Sequence, residues 1–308
     1  MSRARRACCR AALIAAATSL PSALALEAQA VSFPAADGVR LYADYYPPPI
    51  ARHGAAPMVI LLHMYRSDRR AWEPLVAPLH EVGFAVLALD LRGHGESATT
   101  ETRQAVLERD RELFRKMQND VRGAYDWLAA QAGIDRARFA LVGASVGCSV
   151  ALQYAAGDRS VDAIVGLSPG LDYLGLDSAG DIGQITGRKV LLLATEDERD
   201  APYTLAQRGH GVSVRILAGH TAHGTDMLST IPNLEKDIAG FLREAVGQPS
   251  FDIVYGSIRS SIYHAPDSEY VRKISATNLR FYSSPQEAEA RGLRPARSRG
   301  EARLPARR

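Results

Sequence analysis

Cysteine is scarce in this chain: its 308 residues include three, Cys8, Cys9 and Cys148. Without the first thirty residues Cys148 stands alone, which excludes an intrachain disulfide and a cysteine-rich metal site. No uninterrupted apolar run reaches the roughly 20 residues that a helix needs to cross a bilayer, so no transmembrane segment is expected. Closely spaced His/Asp/Glu ligand sets are missing, as is a phosphate-binding glycine loop, so neither a metal nor another cofactor is expected. There is no internal repeat. What the chain does have is 46% hydrophobic and 23% charged residues, the composition of a globular protein with a full core.

The formal charge of +3 is unevenly placed. Arg3, Arg5, Arg6 and Arg10 precede an apolar stretch from Ala11 to Leu20, and Ala23-Leu24-Ala25 or Ala28-Gln29-Ala30 offers small residues for cleavage. That is the pattern of a signal peptide over residues 1–30 and implies a secreted or periplasmic protein. Removing it takes away four arginines and Glu27, which brings the formal charge to zero. Seven arginines against Glu301 lie between Arg291 and Arg308, so the basic character belongs to the tail. Residues 300–308 read as a disordered basic tail that could touch an anionic surface weakly, and no nucleic-acid partner is expected.

From Val31 to Gly247 short apolar runs alternate with helical patterns, the signature of an α/β fold with a mostly parallel sheet. Val31–Phe33 and Val39–Tyr46 flank Asp37-Gly38 as an opening hairpin. Buried strands are expected at Met58–His63, Phe84–Asp90, Phe139–Val142, Ala163–Leu167, Val190–Ala194 and Val212–Leu217. Helices are expected at about Arg69–Val82, in one long run around Arg103–Ala132, from Val146, and from about Asn233 to Val246. Between Gly170 and Lys189 there is no room for a large cap.

Gly143-Ala144-Ser145-Val146-Gly147 follows the expected strand Phe139–Val142 and opens a helical stretch. A sharp strand-to-helix turn strains its central residue and needs small neighbours, so Ser145 projects its hydroxyl above the sheet as a nucleophile elbow. With Leu62-His63 before the first helix and Asp90-Leu91-Arg92-Gly93-His94-Gly95-Glu96-Ser97 after the second core strand, residues 31–247 resemble the α/β-hydrolase superfamily. The capless layout is most similar to its dienelactone-hydrolase and serine-esterase branch.

A serine hydroxyl needs a base, and the base needs an acid to fix its tautomer. The resemblance implies the order serine, acid, histidine. Thr195-Glu196-Asp197 follows a core strand, where similar hydrolases carry Gly-x-x-Asp, and points to Asp197 as the acid, with Asp200 and Glu196 as rivals. His223-Gly224-Thr225 resembles the terminal His-Gly of the superfamily and points to His223 as the base, with His220 as competitor. The oxyanion hole is expected from the backbone N–H of Val146, at a helix start, and by resemblance from that of Tyr65, with Met64 as the fallback. The Tyr65 ring either lines the substrate pocket or is a partly exposed loop side chain. His63 and His94 shape turns, and Cys148 is a buried spectator.

Residues 251–299 form a separate small α+β unit. Ser261-Ile262-Tyr263-His264-Ala265-Pro266-Asp267, Lys273-Ile274, Asn278, Phe281 and Glu287–Pro295 resemble the small metal-binding module of Ada-type DNA-methyl repair proteins. Where that module has zinc-binding cysteines this chain has Ser268, Ala296 and Arg299, so no zinc is expected. Ser284-Pro285-Gln286-Glu287 should cap a helix running to Gly292. The expectation for the whole is an exported serine hydrolase acting on a small-molecule carboxylic ester. A lactonase or peptidase using the same triad, or a non-catalytic envelope-binding protein on a hydrolase scaffold, is the alternative.

Overall fold

The computed structural model describes residues 26–49, 55–247, 254–264, 268–275, 277–282 and 285–296. Most of the expected signal peptide, the Ser284 cap, Arg299 and the basic tail lie outside the described residues. In the body, strands form at Gln29–Pro34 (β1), Arg40–Tyr46 (β2), Ala56–Leu62 (β3), Ala85–Asp90 (β4), Ile134–Ala144 (β5), Val161–Leu167 (β6), Asp172–Tyr173 (β7), Leu176–Asp177 (β8), Lys189–Thr195 (β9) and Val212–Leu217 (β10). Eight of them make one sheet in the order β1-β2-β4-β3-β5-β6-β9-β10. β2 pairs antiparallel with β1 and β4, and every later pairing is parallel.

Helices follow at Glu73–Glu81 (α1), Thr100–Leu107 (α2), Arg111–Arg115 (α3), Gln118–Ala129 (α4), Val146–Gly157 (α5), Ser178–Asp181 (α6), Asp200–Arg208 (α7), Met227–Thr230 (α8) and Leu234–Val246 (α9). The strand period of two decides which face each strand residue joins. Met58, Ile60 and Leu62 of β3 enter one core with Phe114, Val121 and Leu152 of α3, α4 and α5. Val59 and Leu61 enter the other with Leu75, Leu79, Ile238 and Leu242 of α1 and α9. Helices cover both faces, which is why the central strands carry unbroken apolar runs.

The long helix expected around Arg103–Ala132 is instead three helices. Arg109 takes a φ of +57°, a left-handed conformation no α-helix can contain. Asp110 then starts a new helix by accepting the N–H of Glu112 at 2.9 Å. The interval after β6 holds the β7–β8 hairpin and α6, so no large cap is inserted there. The chain just after β4 is fastened to the body by ion pairs. Arg92 meets the fully buried Asp120 at 2.7 Å and Asp37, in the β1–β2 turn, at 2.8 Å. Arg69 likewise joins Asp44, Asp90 and Glu96.

The C-terminal residues contain strands Val254–Ser257 (β11), Ile262–His264 (β12), Leu279–Tyr282 (β13) and Arg294–Pro295 (β14), with helices Glu269–Lys273 (α10) and Pro285–Ala290 (α11). Their sheet order is β13-β11-β12-β14 around a small core of Val254, Tyr263 and Ala288. Ser268, at one position where the resembled module has a cysteine, caps α10 by accepting the N–H of Tyr270. Among the described residues no three His, Cys, Asp or Glu side chains gather as a metal would require.

Truncating Arg92 leaves the Asp120 carboxylate buried with no counter-charge. Arg92→Ala is therefore expected to cost about 3–5 kcal/mol, read as a lower urea midpoint at neutral pH.

Candidate active site

The site assembles at the C-terminal ends of the parallel strands, where loops from neighbouring strands converge. β5 ends at Ala144, and Ser145 turns the chain into α5 with φ 51° and ψ −115°. Such backbone geometry is costly for a residue with a Cβ and persists only where the surroundings fix it. Here the Ser145 N–H donates to the carbonyl of Leu167 at the end of β6, at 2.8 Å. Gly147 lies so close to β3 that a Cβ there would overlap the carbonyl oxygen of Leu62 and approach that of His63 to 2.7 Å. The glycine thus sets the start of α5 directly against the loop that leaves β3.

That loop is held by His63. Its Nε2 accepts the N–H of Leu91 at 3.1 Å, so the ring proton sits on Nδ1, which donates to the carbonyl of Met64 at 2.8 Å. Burial keeps the ring neutral, with its pKa pushed down to about 4. In a trans peptide C=O and N–H point opposite ways, so fixing the Met64 carbonyl also fixes the direction of the Tyr65 N–H. The Tyr65 ring is half-buried: its hydroxyl donates to the carbonyl of Val106 at 3.1 Å, and its centroid lies 6.2 Å from that of Phe114. The ring is therefore packed against the chain after β4.

Val146 is the first residue of α5, where first-turn N–H groups lack helical acceptors. Ser145 is 5% exposed, and among the described residues its hydroxyl makes no hydrogen bond. Cys148 is buried one turn on, and burial pushes its thiol up to about 12. That leaves it protonated and inert, as expected of a spectator.

His223 lies beyond β10, and the next residue wedges it against the elbow. Gly224 has a φ of +58°, and a Cβ there would stand 2.8 Å from Met64 Sδ and 3.6 Å from Ala144 Cβ. His223 Nδ1 is 2.5 Å from Glu198 Oε1. The carboxylate at the histidine is therefore Glu198, not Asp197. Asp197 is exposed, Glu196 pairs with Arg199 at 2.6 Å, and Asp200 lies in solvent beside Arg199.

The physical reason is local. β9 runs one residue further than expected, to Thr195, and Glu196–Glu198 forms a single 3-10 turn. With three residues per turn, successive carboxylates point about 120° apart, and one of the three faces the histidine loop. The x-x spacing counted from Thr195 instead of Ala194 would have pointed to Glu198. His220 makes no hydrogen bond or ion pair among the described residues.

The family described as serine aminopeptidase, S33, matches residues 54–189, from just before β3 to the start of β9. An uncharacterised protein of Mycobacterium tuberculosis is 32% identical over 133 residues, 43% of this chain and 42% of that relative. YfhR of Salmonella typhi is 30% identical over 122 residues, 39% of this chain and 38% of that one. The chain thus matches about two fifths of the length of these curated relatives. An esterase structure from Pyrococcus furiosus aligns over 76% of this chain and 96% of its own, with a TM-score of 0.59 and 19% identity. A dienelactone hydrolase from Anabaena variabilis aligns over 71% and 96%, with a TM-score of 0.55 and 21% identity. These structural likenesses are likenesses of fold.

The two turn histidines make a pH prediction. His94 packs 4.9 Å from His63, centroid to centroid, and burial pushes its pKa down to about 4 as well. Both rings are neutral when folded and take up protons near pH 6.5 when unfolded, so stability is present above that pH and falls as pH drops toward about 4. Urea titrations at pH 7 and 4.5 should show the loss. His94→Asn, which keeps a donor at the Nδ1 position, should reduce it.

Proposed function

We propose that this chain, which has the α/β-hydrolase fold, is an exported serine hydrolase that cleaves carboxylic esters of modest size. The observation that carries this reading is the 2.5 Å contact between His223 Nδ1 and Glu198, on a loop packed against the residue before the strained Ser145. Ser145 Oγ attacks the ester carbonyl while His223 Nε2 takes its proton. Glu198 accepts the Nδ1–H, keeping the lone pair on Nε2 and stabilising the imidazolium. The N–H groups of Val146 and Tyr65 hold the oxyanion, each worth a factor of about a hundred or more in rate. His223 returns the proton to the departing alkoxide, and water, deprotonated by His223, then releases the acyl group from Ser145. The serine–base hydrogen bond forms when substrate excludes water.

Short covering segments support a substrate of modest size. The chain after β4 and the hairpin after β6 touch where Arg115 Nε donates to the Gly175 carbonyl at 3.4 Å, and the Tyr65 ring stands beside them. Export is supported by the basic, apolar and small-residue pattern of residues 1–30. Gln29 and Ala30 pair with Tyr45 and Asp44, so cleavage after Ala25 keeps β1 whole. The aminopeptidase description of the matching family favours a second substrate class, peptides, handled by the same groups.

Turnover of p-nitrophenyl acetate, a lactone and an aminoacyl p-nitroanilide tests the reading, with ester turnover expected to dominate. Dominant anilide turnover would move the assignment to a peptidase. No turnover and no fluorophosphonate labelling would favour an envelope-binding protein on this scaffold.

Among variants, Ser145→Ala should abolish turnover and His223→Ala should cost roughly a thousandfold or more in kcat, with His220→Ala nearly silent. Glu198→Gln should lower kcat about tenfold or more, whereas Asp197→Asn should change it less than about twofold. The opposite ranking would return the acid's role to Asp197.

A further inference from the structure

The His223 ring is 48% exposed, so packing does little to hold it, and its position has to come from its backbone. Both peptide groups flanking that residue are met by hydroxyls from the sheet. Ser168, directly after β6, is 4% exposed, and its Oγ accepts the N–H of Gly224 at 2.8 Å. Thr195, fully buried at the end of β9, places Oγ1 3.5 Å from the carbonyl of Ala222 as a longer, weaker contact. β6 and β9 are parallel neighbours, so the two hydroxyls reach the histidine loop from adjacent strand ends.

We propose that Ser168 is a positioning residue for His223, acting through the N–H of Gly224; the inference rests on the reading of His223 as the base. Three observations favour this over a merely structural serine. Ser168 has a φ of +50°, a conformation that glycine adopts freely and that a residue with a Cβ adopts only under constraint. Its own N–H donates to the Leu193 carbonyl at 2.8 Å, so the backbone is tied to β9 without help from the side chain. Finally, Gly224 is buried, and without the hydroxyl its N–H would have no acceptor among the described residues. The side chain thus serves the histidine loop and not the sheet.

The test compares Ser168→Gly and Ser168→Ala with the unsubstituted enzyme. Both substitutions leave the buried Gly224 N–H unpaired, and glycine alone relieves the positive φ, so Tm should separate the variants, falling less in Ser168→Gly than in Ser168→Ala. Turnover should not separate them. On p-nitrophenyl acetate kcat should fall about tenfold in both variants with KM within about twofold, since a group that aligns the base acts in the transition state. Amide hydrogen exchange should show Gly224 protected in the unsubstituted enzyme and unprotected in both variants. A lower Tm with kcat per folded molecule unchanged would overturn the inference, as would an unprotected Gly224 amide in the unsubstituted enzyme. Loss of turnover in His223→Ala with full kcat in Ser168→Gly would overturn the inference alone. Full turnover in His223→Ala would overturn the functional reading and the inference together.

Discussion

One strained residue sets the position of everything around it. Ser145 keeps a left-handed φ between β5 and α5, and the contacts that hold it there are those that bring the other loops close. Its N–H is bound to the end of β6, and Gly147 sits on the carbonyls at the end of β3. Gly224 in turn packs against Ala144 and Met64. A larger residue at 147 would push α5 away from β3, and with it the Val146 N–H away from the Tyr65 N–H. Backbone strain at such a turn persists when close packing over-determines it.

The remainder of the sheet supplies the rigidity this requires. Side chains of β3, β5, β6 and β9 are buried on both faces, so their C-terminal ends shift little relative to one another. The turn beyond β4 is tied down by the ion pairs of Arg92 and Arg69, and the neutral imidazole of His63 bridges that turn to the loop after β3. The loops carrying Ser145, Tyr65 and His223 are thus short spans between fixed points. The exposed His223 is the loosest of them, held by a carboxylate on one side and by hydroxyls beneath its backbone.

Much of this architecture was legible in the sequence because burial on both faces leaves a plain trace. The runs Met58–His63 and Phe84–Asp90 mark strands within one or two residues of where they lie, and Gly143 to Gly147 announces the elbow through its glycines. What stayed hidden depended on local rotation. A helical pattern from Arg103 to Ala132 does not reveal that Arg109 breaks it, since arginine is an ordinary helix former. Four acids between Glu196 and Asp200 cannot be ranked by composition: a strand one residue longer and one 3-10 turn brought Glu198 to the histidine. Ser168 carries no motif at all, and its role depends on a positive φ and a partner 56 residues away.

The central claim is that Ser145 is the nucleophile. Peptide mapping by mass spectrometry after exposure of the mature protein to a fluorophosphonate tests it most directly. A single covalent adduct on Ser145, absent from the His223→Ala protein, is the result the account predicts. An adduct on another residue, or none from a folded protein that still hydrolyses esters, would contradict it.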